Sequence, residues 1–303
     1  MFSIGHLSDL HTTPVQPESV RELLNKRVTG WLSWRLRRRH IYRPEVLEAL
    51  IADLGETSPD HVVVTGDLTN VALESEFRAA RDWLDRIGDP ERVFVIPGNH
   101  DAYVRVPRAH ALDQWRAYLA SDPAGGAAPE ALQYPTVRRR GAVAIVGVNS
   151  ARPTPWFLAT GEVGREQRER LEALLGQLAA EGLCRVVLIH HPIVDGATTR
   201  RRSLRDAAEV REVLRRAGAD LVLHGHNHRT QLAKVPGPEG PIPVVGVRSA
   251  SYLGDKPHKR ARYHLYDFER ADAAGPTRFR VRMRARAFDP ESGRFAPAGD
   301  EEL

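Results

Sequence analysis

The sequence HVVVTGDLTN, at residues 61–70, has a form that recurs throughout this chain. A short β-branched apolar run, typical of a buried strand, ends in a glycine and then in Asp67. Similar runs that end in polar residues lie at 2–7, 92–96, 185–189 and 220–223, with a further apolar run at 142–148. Helical patterns separate them, at 44–54, 74–87, 111–120, 165–180 and 204–217. This alternation predicts an α/β protein with much parallel sheet.

Five of the strand ends carry residue types that bind metals. They are Asp9 and His11; Asp67; Asn99, His100 and Asp101; His190 and His191; and His226 and His228. Because ligands bind beyond the carboxyl ends of strands in such sheets, we expect these side chains to converge at one edge. A single histidine near a strand end is usually structural, which is our interpretation of His6, His61, His110, His224 and His264. Convergence from five strand ends favours a metal site.

Spacing and donor type support this prediction. Residues i and i+2 of an extended strand point the same way, so Asp9 with His11, and His226 with His228, could each aim at one point. Glycines precede Asp67, Asn99 and His226 and allow close approach of the backbone. Carboxylate, amide oxygen and imidazole without thiolate suit Mn, Fe or Zn.

Composition places the chain among ordinary globular proteins. It has 303 residues, 42% of them hydrophobic and 27% charged, with 44 Lys+Arg against 39 Asp+Glu for a net charge of +5. A single cysteine excludes an intrachain disulfide, and no apolar run approaches the ~20 residues of a membrane span. The first residues do not resemble a signal peptide, so we expect a cytoplasmic protein. We predict one domain over 1–289, with a helical insertion at 14–43 and a polar tail at 290–303.

The ordered motifs resemble the signature of the calcineurin-like metallophosphoesterases. The segments TGDLTN at 65–70 and IPGNHD at 96–101 are most similar to the bacterial class III cyclic-nucleotide phosphodiesterase group. The resemblance implies a four-layer αββα sandwich, with two mixed β-sheets flanked by helices, and two divalent or trivalent metal ions. One ion would take Asp9, His11, Asp67 and His228, and the other Asp67, Asn99, His190 and His226. His100 would contact the phosphate and protonate the leaving alkoxide, while Asp101 would orient its ring.

The implied activity is a phosphodiesterase in which a metal-bridging hydroxide hydrolyses a P–O ester bond. A cyclic nucleotide and a phospholipid-like diester are both candidate substrates. A nuclease, a phosphomonoesterase and a scaffold that only keeps the fold are the alternatives. The alternating arginines at 278–286 are typical of a strand with one solvated face, so the sequence carries no strong nucleic-acid signal. The oligomeric state stays open.

Residues 21–43 hold eight Lys/Arg and one acid, Glu22, for a net charge of +7. Apolar residues recur at every fourth position, at Val20, Leu24, Val28, Leu32 and Leu36. Three interpretations follow. The helix could dock on the protein by this apolar stripe, lie on an anionic lipid surface at the inner face of the membrane, or form a phosphate-binding rim. Arg200, Arg201, Arg202 and Arg205 could join that rim, and His191 could contact substrate or lie behind the ligands.

Overall fold

The computed structural model describes residues 2–123, 132–271 and 279–303 and contains two six-stranded sheets within them. The first sheet has the order β12-β11-β10-β1-β2-β3. Its strands are β1 (Phe2–Leu7), β2 (His61–Val64), β3 (Val93–Val95), β10 (Arg262–Arg270), β11 (Phe279–Asp289) and β12 (Arg294–Glu302). β1, β2 and β3 are parallel, so their carboxyl ends meet at one edge.

The second sheet has the order β4-β5-β6-β7-β9-β8. Its strands are β4 (Thr136–Arg140), β5 (Val143–Val148), β6 (Cys184–Ile189), β7 (Leu221–His224), β8 (Gln231–Val235) and β9 (Ile242–Gly246). β5, β6, β7 and β9 are parallel, while β4 and β8 pair antiparallel at the two ends. Both sheets are therefore mixed.

Helices cover the outer face of each sheet. α3 (Pro44–Thr57) and α4 (Glu74–Ile87) pack on the first sheet, and α6 (Arg165–Ala180) and α7 (Ala207–Ala217) pack on the second. The predicted helix at 111–120 is a 3-10 turn, Leu112–Trp115, followed by the short α5 (Arg116–Leu119). A third apolar core fills the space between the sheets, with Ile4, Val63 and Phe94 facing Val186 and Leu188. The predicted four-layer αββα sandwich is confirmed.

The expectation of a polar tail at 290–303 is wrong. Residues of β12 pair with β11 along the edge of the first sheet, and Phe295 is buried between the rings of Tyr263 and Phe288. An edge strand is held in the sheet by backbone hydrogen bonds to one neighbouring strand, and one of its faces can be exposed to solvent. A mostly polar sequence can therefore form such a strand.

The two-faced strand expected at 278–286 is confirmed over the residues that the structure describes, which exclude Arg278. Val281, Met283 and Ala285 are buried in β11. On its other face, Arg284 pairs with Asp267 and Arg282 with Asp300.

The insertion predicted at 14–43 is helical over a shorter range. A 3-10 turn covers Val20–Leu23, and a helical segment then comprises α1 (Arg27–Ser33), a π-helical turn (Trp34–Arg38) and α2 (Arg39–Ile41). The interpretation that this segment docks by its apolar stripe is wrong, because Val20, Leu24, Val28, Leu32 and Leu36 are all exposed. The physical reason lies on the opposite face, where Trp31 and Trp34 pack against a small apolar cluster around Val71. Packing of these two large aromatic rings fixes which side of the helical segment faces the protein.

Candidate dinuclear metal centre

The predicted ligands meet at the edge where five strands end. The turns after β1, β2 and β3 in the first sheet face the turns after β6 and β7 in the second. Six of the seven predicted ligands are buried and the seventh, His228, is half-buried. The structure thus brings together all seven: Asp9, His11, Asp67, Asn99, His190, His226 and His228.

The first group of side chains surrounds a point between Asp9, His11, Asp67 and His228. Oδ1 of Asp9 lies 3.2 Å from Nε2 of His228 and 3.9 Å from Nε2 of His11. Nε2 of His11 lies 3.7 Å from Oδ2 of Asp67. Two ligand atoms that are each about 2.1 Å from one ion lie roughly 3.0 Å apart at a right angle and up to about 4.2 Å apart on opposite sides, so these separations suit one cation.

The second group shares Asp67 with the first. Nε2 of His190 lies 3.3 Å from Oδ2 of Asp67, 3.2 Å from Oδ1 of Asn99 and 3.3 Å from Nδ1 of His226. Because Oδ2 of Asp67 belongs to both groups, this carboxylate is placed to bridge two ions.

The four histidines each use their other ring nitrogen to bind an oxygen of the protein. The pairs are Nδ1 of His11 with the carbonyl of Thr69 at 3.0 Å, Nδ1 of His190 with the carbonyl of Thr65 at 2.6 Å, Nε2 of His226 with the carbonyl of Arg202 at 2.8 Å, and Nδ1 of His228 with the hydroxyl of Tyr42 at 3.1 Å. A carbonyl only accepts, so the nitrogen that faces it carries the hydrogen. The remaining nitrogen of a neutral ring then turns a lone pair toward the group, as metal-binding histidines do.

When every ring is neutral, the result is a set of acceptors that face one another. In their neutral forms, Nε2 of His190 and Nδ1 of His226 would both present lone pairs across 3.3 Å. Oδ1 of Asp9 and Nε2 of His11 are buried and have no hydrogen-bond partner within the described residues. Such an arrangement is stabilised by positive charge, so the residues fit two metal cations.

The electrostatics agree with this fit. Burial lowers the pKa of His190, but the Asp67 carboxylate outweighs burial and raises that pKa to about 9. Without a metal, His190 therefore holds a proton on Nε2 at neutral pH, in the place that a metal cation would take. Burial, followed by the neighbouring His191 and His190, holds the pKa of His226 well below its ordinary value and keeps this ring neutral, as a ligand must be.

The backbone at the ligands differs from the extended form expected from sequence. Asp9, His11, Asp67, His226 and His228 all have positive φ, between 49° and 68°, in the left-handed region that few non-glycine residues adopt. The extended-strand argument is therefore wrong, although Asp9 and His11 do reach one group. His226 and His228 serve different groups. Strained backbone of this kind is commonly found at functional sites, where the surrounding structure holds it.

A glycine before a ligand allows two of these turns to touch. A Cβ on Gly98 would lie 2.2 Å from Oδ1 of Asp67, and one on Gly66 would lie 2.4 Å from the nitrogen of Gly98. Any side chain at either position would push the Asp67 turn away from the Asn99 turn.

Asp101 does not orient His100, and that prediction is wrong. Its carboxylate instead accepts hydrogen bonds from the backbone nitrogens of the second and third strand-end turns. The donors are Asp67 at 2.8 Å, Leu68 at 3.0 Å, Thr69 at 2.9 Å and Gly98 at 2.9 Å. Asp101 thereby fixes Asp67 relative to Asn99.

His100 lies beside the first group, with a ring nitrogen within 4.8 Å of ligand atoms of His11 and Asp67, and is oriented by other residues. Nδ1 of His100 donates to the carbonyl of Asn70 at 2.6 Å, so Nε2 is free to accept, and Nη1 of Arg38 lies 3.2 Å from it. Burial and then the Arg38 guanidinium lower the pKa of His100 to about 3. The ring is neutral at this position.

The residues predicted to contact substrate have different positions. His191 is fully buried, with Nδ1 bonded to Ser150 and Nε2 to the carbonyl of Ala159, so both ring nitrogens are bonded within the protein, behind the ligands. Arg202 donates from Nη2 to the carbonyl of His226 at 2.7 Å and lies at the site. The side chains of Arg200, Arg201 and Arg205 are exposed beside it.

Sequence reasoning did not single out Arg38 and Tyr42 as site residues. They lie on the helical segment after the first motif, and Tyr42 contacts His228 while Arg38 contacts His100. The charge of the segment 21–43 was visible in the sequence, but no local pattern distinguishes Arg38 from the other arginines beside it.

A dinuclear centre at the edge of an αββα sandwich defines a class of metal-dependent phosphoesterases. The family model of the calcineurin-like phosphoesterases matches residues 2–230, and this chain belongs to that family. Within the described residues, no helix is both long and apolar enough to span a membrane.

Individual relatives are distant. The chain is 25% identical over 224 residues to a probable cyclic nucleotide phosphodiesterase of Synechococcus sp., which covers 73% of this chain and 76% of that protein. A dimetal phosphatase from Danio rerio has a TM-score of 0.61 at 14% identity over 98% of both chains. GAP50, described as the anchor in the inner membrane complex of Plasmodium, has a TM-score of 0.52 at 9% identity over 100% of this chain and 88% of its own. These two structures show the fold alone.

Proposed function

We propose that this chain is a two-metal phosphodiesterase. The observation that carries the proposal is the pair of ligand groups that share Oδ2 of Asp67 and whose buried acceptors face one another. Donors of oxygen and nitrogen, with no thiolate among the seven, suit Mn, Fe or Zn. The curated relative that is named as a phosphodiesterase supports the diester class.

Two cations held at such a centre bind phosphate oxygens and lower the pKa of a water molecule for in-line attack on phosphorus. The carboxylate of Asp67 would offset the repulsion between the cations, and Asp101 would hold Asp67 in place through backbone nitrogens. The hydrogen bonds from the histidines to carbonyl oxygens would orient each ring before metal binds, which lowers the cost of assembling the site.

Arg38 would bind the substrate phosphate, and His100 would hold its guanidinium in place. The guanidinium of Arg38 donates to Nε2 of His100, and a ring nitrogen of His100 lies within 4.8 Å of ligand atoms of His11 and Asp67. A guanidinium gives charge-assisted hydrogen bonds to phosphate oxygens. Contact of His100 with the phosphate and transfer of its proton to the leaving alkoxide stay predictions, and both require that Nε2 first gain a proton, because the neutral ring has a lone pair there.

Two substrate classes are supported by different observations. The name of the curated relative favours a cyclic nucleotide. The exposed apolar residues next to the site favour a phospholipid-like diester. Purified enzyme reconstituted with Mn should be assayed against cyclic nucleotides, glycerophosphodiesters, lipid diesters and single-stranded DNA, and the highest kcat/KM identifies the class.

The test of the centre itself combines metal content with hydrolysis of bis-p-nitrophenyl phosphate. We expect two metal ions per chain, and we expect Asp67→Asn to reduce both metal content and hydrolysis. The matched control is Asp300→Asn, which changes an exposed carboxylate that pairs with Arg282 on the edge strand β12. A reconstituted protein that is inactive, together with unchanged metal content in Asp67→Asn, would show that the chain is a scaffold with this fold.

A further inference from the structure

Exposed apolar side chains concentrate on one part of this molecule. Among the described residues, eight large hydrophobic side chains are exposed, and seven of them lie in two segments, 20–36 and 156–157. In the first segment, Val20, Leu24 and Leu36 are 77%, 76% and 69% exposed. Soluble proteins seldom expose contiguous apolar residues of this kind unless they bind something there.

The helical segment cannot turn these residues inward, because its other face is anchored. Arg27 donates from Nε to the carbonyl of Val71 at 3.0 Å and also binds the carbonyl of Ala72. A Cβ on Gly30 would lie 2.4 Å from a methyl carbon of Val71, so the helix approaches the protein closely here. Trp31 and Trp34 pack beside this contact. The outward direction of the apolar residues is therefore a property of the fold.

The second exposed segment is held next to the start of the helix. Nζ of Lys26 donates to Oγ1 of Thr154 at 2.7 Å and to the carbonyl of Leu158 at 3.0 Å. The turn between these two contacts carries Trp156 and Phe157 into solvent. Phe157 is 76% exposed and has a φ of 63°, which is unfavourable for a bulky residue. We call Val20, Leu24, Val28, Leu32, Leu36, Trp156 and Phe157 the apolar face.

Basic residues without acidic partners accompany the apolar face. Arg35, Arg37 and Arg39 are exposed and form no ion pair with any carboxylate in the part of the chain that the structure describes. Elsewhere many exposed arginines are paired, such as Arg282 with Asp300. The segment 21–43 keeps its net charge of +7 largely unneutralised.

Exposed apolar residues together with unpaired arginines favour one kind of binding partner. Clustered arginines on an amphipathic helix attract anionic lipid, and the apolar residues with Trp156 enter the interfacial region. A second copy of this chain fits poorly, because a twofold interface would bring the same unpaired arginines close to one another. We propose that the apolar face, with Arg35, Arg37 and Arg39, binds the anionic surface of a lipid bilayer.

The apolar face lies on the same helical segment as Arg38, close to the metal centre. Arg38 lies on the anchored side of the same helical segment and contacts His100, so a bilayer on the outer side is about one helix diameter, ~10 Å, from the metal centre. A diester in a lipid headgroup would be within reach of the site. Membrane binding itself does not depend on catalysis, so it can be tested independently of the proposed function.

The experiment is sedimentation of the full chain with large unilamellar vesicles, without substrate. One set contains phosphatidylcholine with phosphatidylglycerol, and the other contains phosphatidylcholine alone. We expect binding to the anionic vesicles that weakens with salt. The double variant Arg35→Gln/Arg39→Gln should bind about fivefold more weakly for each residue removed. The triple variant Leu24→Ser/Leu36→Ser/Phe157→Ser should lose most binding.

Two control variants change the same residue types elsewhere. Leu232→Ser alters the exposed leucine outside the apolar face, and Arg280→Gln alters an exposed arginine of β11. Both should bind vesicles as the unmodified chain does. All variants should keep their melting temperature and their hydrolysis of the water-soluble bis-p-nitrophenyl phosphate.

Three outcomes would overturn the proposal. They are no binding of the unmodified chain to anionic vesicles at low salt, equal binding by the triple variant, and self-association in solution that the triple variant abolishes while no vesicle binding is seen. The last result would assign the face to a second copy of the chain. Loss of hydrolysis with intact vesicle binding would count against the proposed function alone.

Discussion

Nη1 of Arg38 lies 3.2 Å from Nε2 of His100, although the two residues are 62 positions apart in the chain. The contact connects the basic helical segment to the motif that follows β3. Because Nδ1 of His100 donates to Asn70, Nε2 is the acceptor and Arg38 the donor. Both groups are therefore oriented before substrate arrives.

Replacement of Arg38 tests its contact with the phosphate. We expect Arg38→Met to lower kcat/KM for a phosphodiester roughly 10- to 100-fold, mainly through KM, since a charge-assisted hydrogen bond is worth about 1.5–3 kcal/mol. Metal content should stay unchanged. Arg35→Met, which alters an exposed neighbour on the same segment, is the control for steady-state kinetics with a soluble substrate. An unchanged KM in Arg38→Met would remove Arg38 from the site.

Tyr42 should increase the metal affinity of the first ligand group. Its hydroxyl lies 3.1 Å from Nδ1 of His228 and orients that ring. Loss of such a contact typically weakens metal affinity 10- to 100-fold. We expect Tyr42→Phe to show this decrease for one of two ions in competition with a chelator, while Tyr252→Phe, which changes a neighbouring buried tyrosine, has little effect. Equal metal affinities for Tyr42→Phe and the unmodified chain would contradict this role of Tyr42.

Replacement of Asp101 should lower the stability of the fold more directly than it lowers the rate of catalysis. Asp101→Ala leaves four backbone nitrogens of the site turns without their acceptor. At about 1–3 kcal/mol for each unsatisfied buried group, partly relieved by water, we expect the free energy of unfolding to fall by roughly 4 kcal/mol. Denaturant titration measures the loss, and Asp101→Asn, which retains one acceptor oxygen, should lose less. A stable Asp101→Ala protein with reduced kcat would instead restore the role of orienting His100.

His61 should make the fold sensitive to acid. Burial and then Arg138 lower the pKa of His61 to about 3, and neither ring nitrogen has a hydrogen-bond partner within the described residues. The folded state keeps the ring neutral, whereas the unfolded chain binds a proton below its ordinary pKa of about 6.5. The stability from His61 is complete above that pH and is lost as pH falls toward 3, by about 2 kcal/mol at pH 5.

The phenylalanine variant tests this dependence. His61→Phe should be as stable as the unmodified chain at neutral pH and should lose less stability between pH 6.5 and 4. Part of the dependence will persist, because His264 also has a pKa lowered to about 3, by burial followed by Arg262. His258→Phe, at an exposed position, serves as the control. Parallel pH profiles for His61→Phe and the unmodified chain would contradict the assignment.

The αββα sandwich followed from the resemblance to a known family, whereas sequence patterns alone were sufficient for an α/β protein with parallel strands and for the polar residues that meet at the sheet edge. The reason is that both depend on local order: an apolar run forms a strand, and the residue after it lies at the strand's carboxyl end. Parallel pairing of β1, β2 and β3 then brings Asp9, Asp67 and Asn99 together.

Other features depended on partners distant in the chain. The pattern from Val20 to Leu36 predicts an amphipathic helix but does not say which face is buried, and that choice was made by Trp31 and Trp34 against Val71. The polar sequence of β12 became a strand because β11 offered a free edge. In the same way, a carboxylate can accept from whichever donors surround it, so only the tertiary structure decided that Asp101 binds the turns beside it and leaves His100 to Asn70 and Arg38.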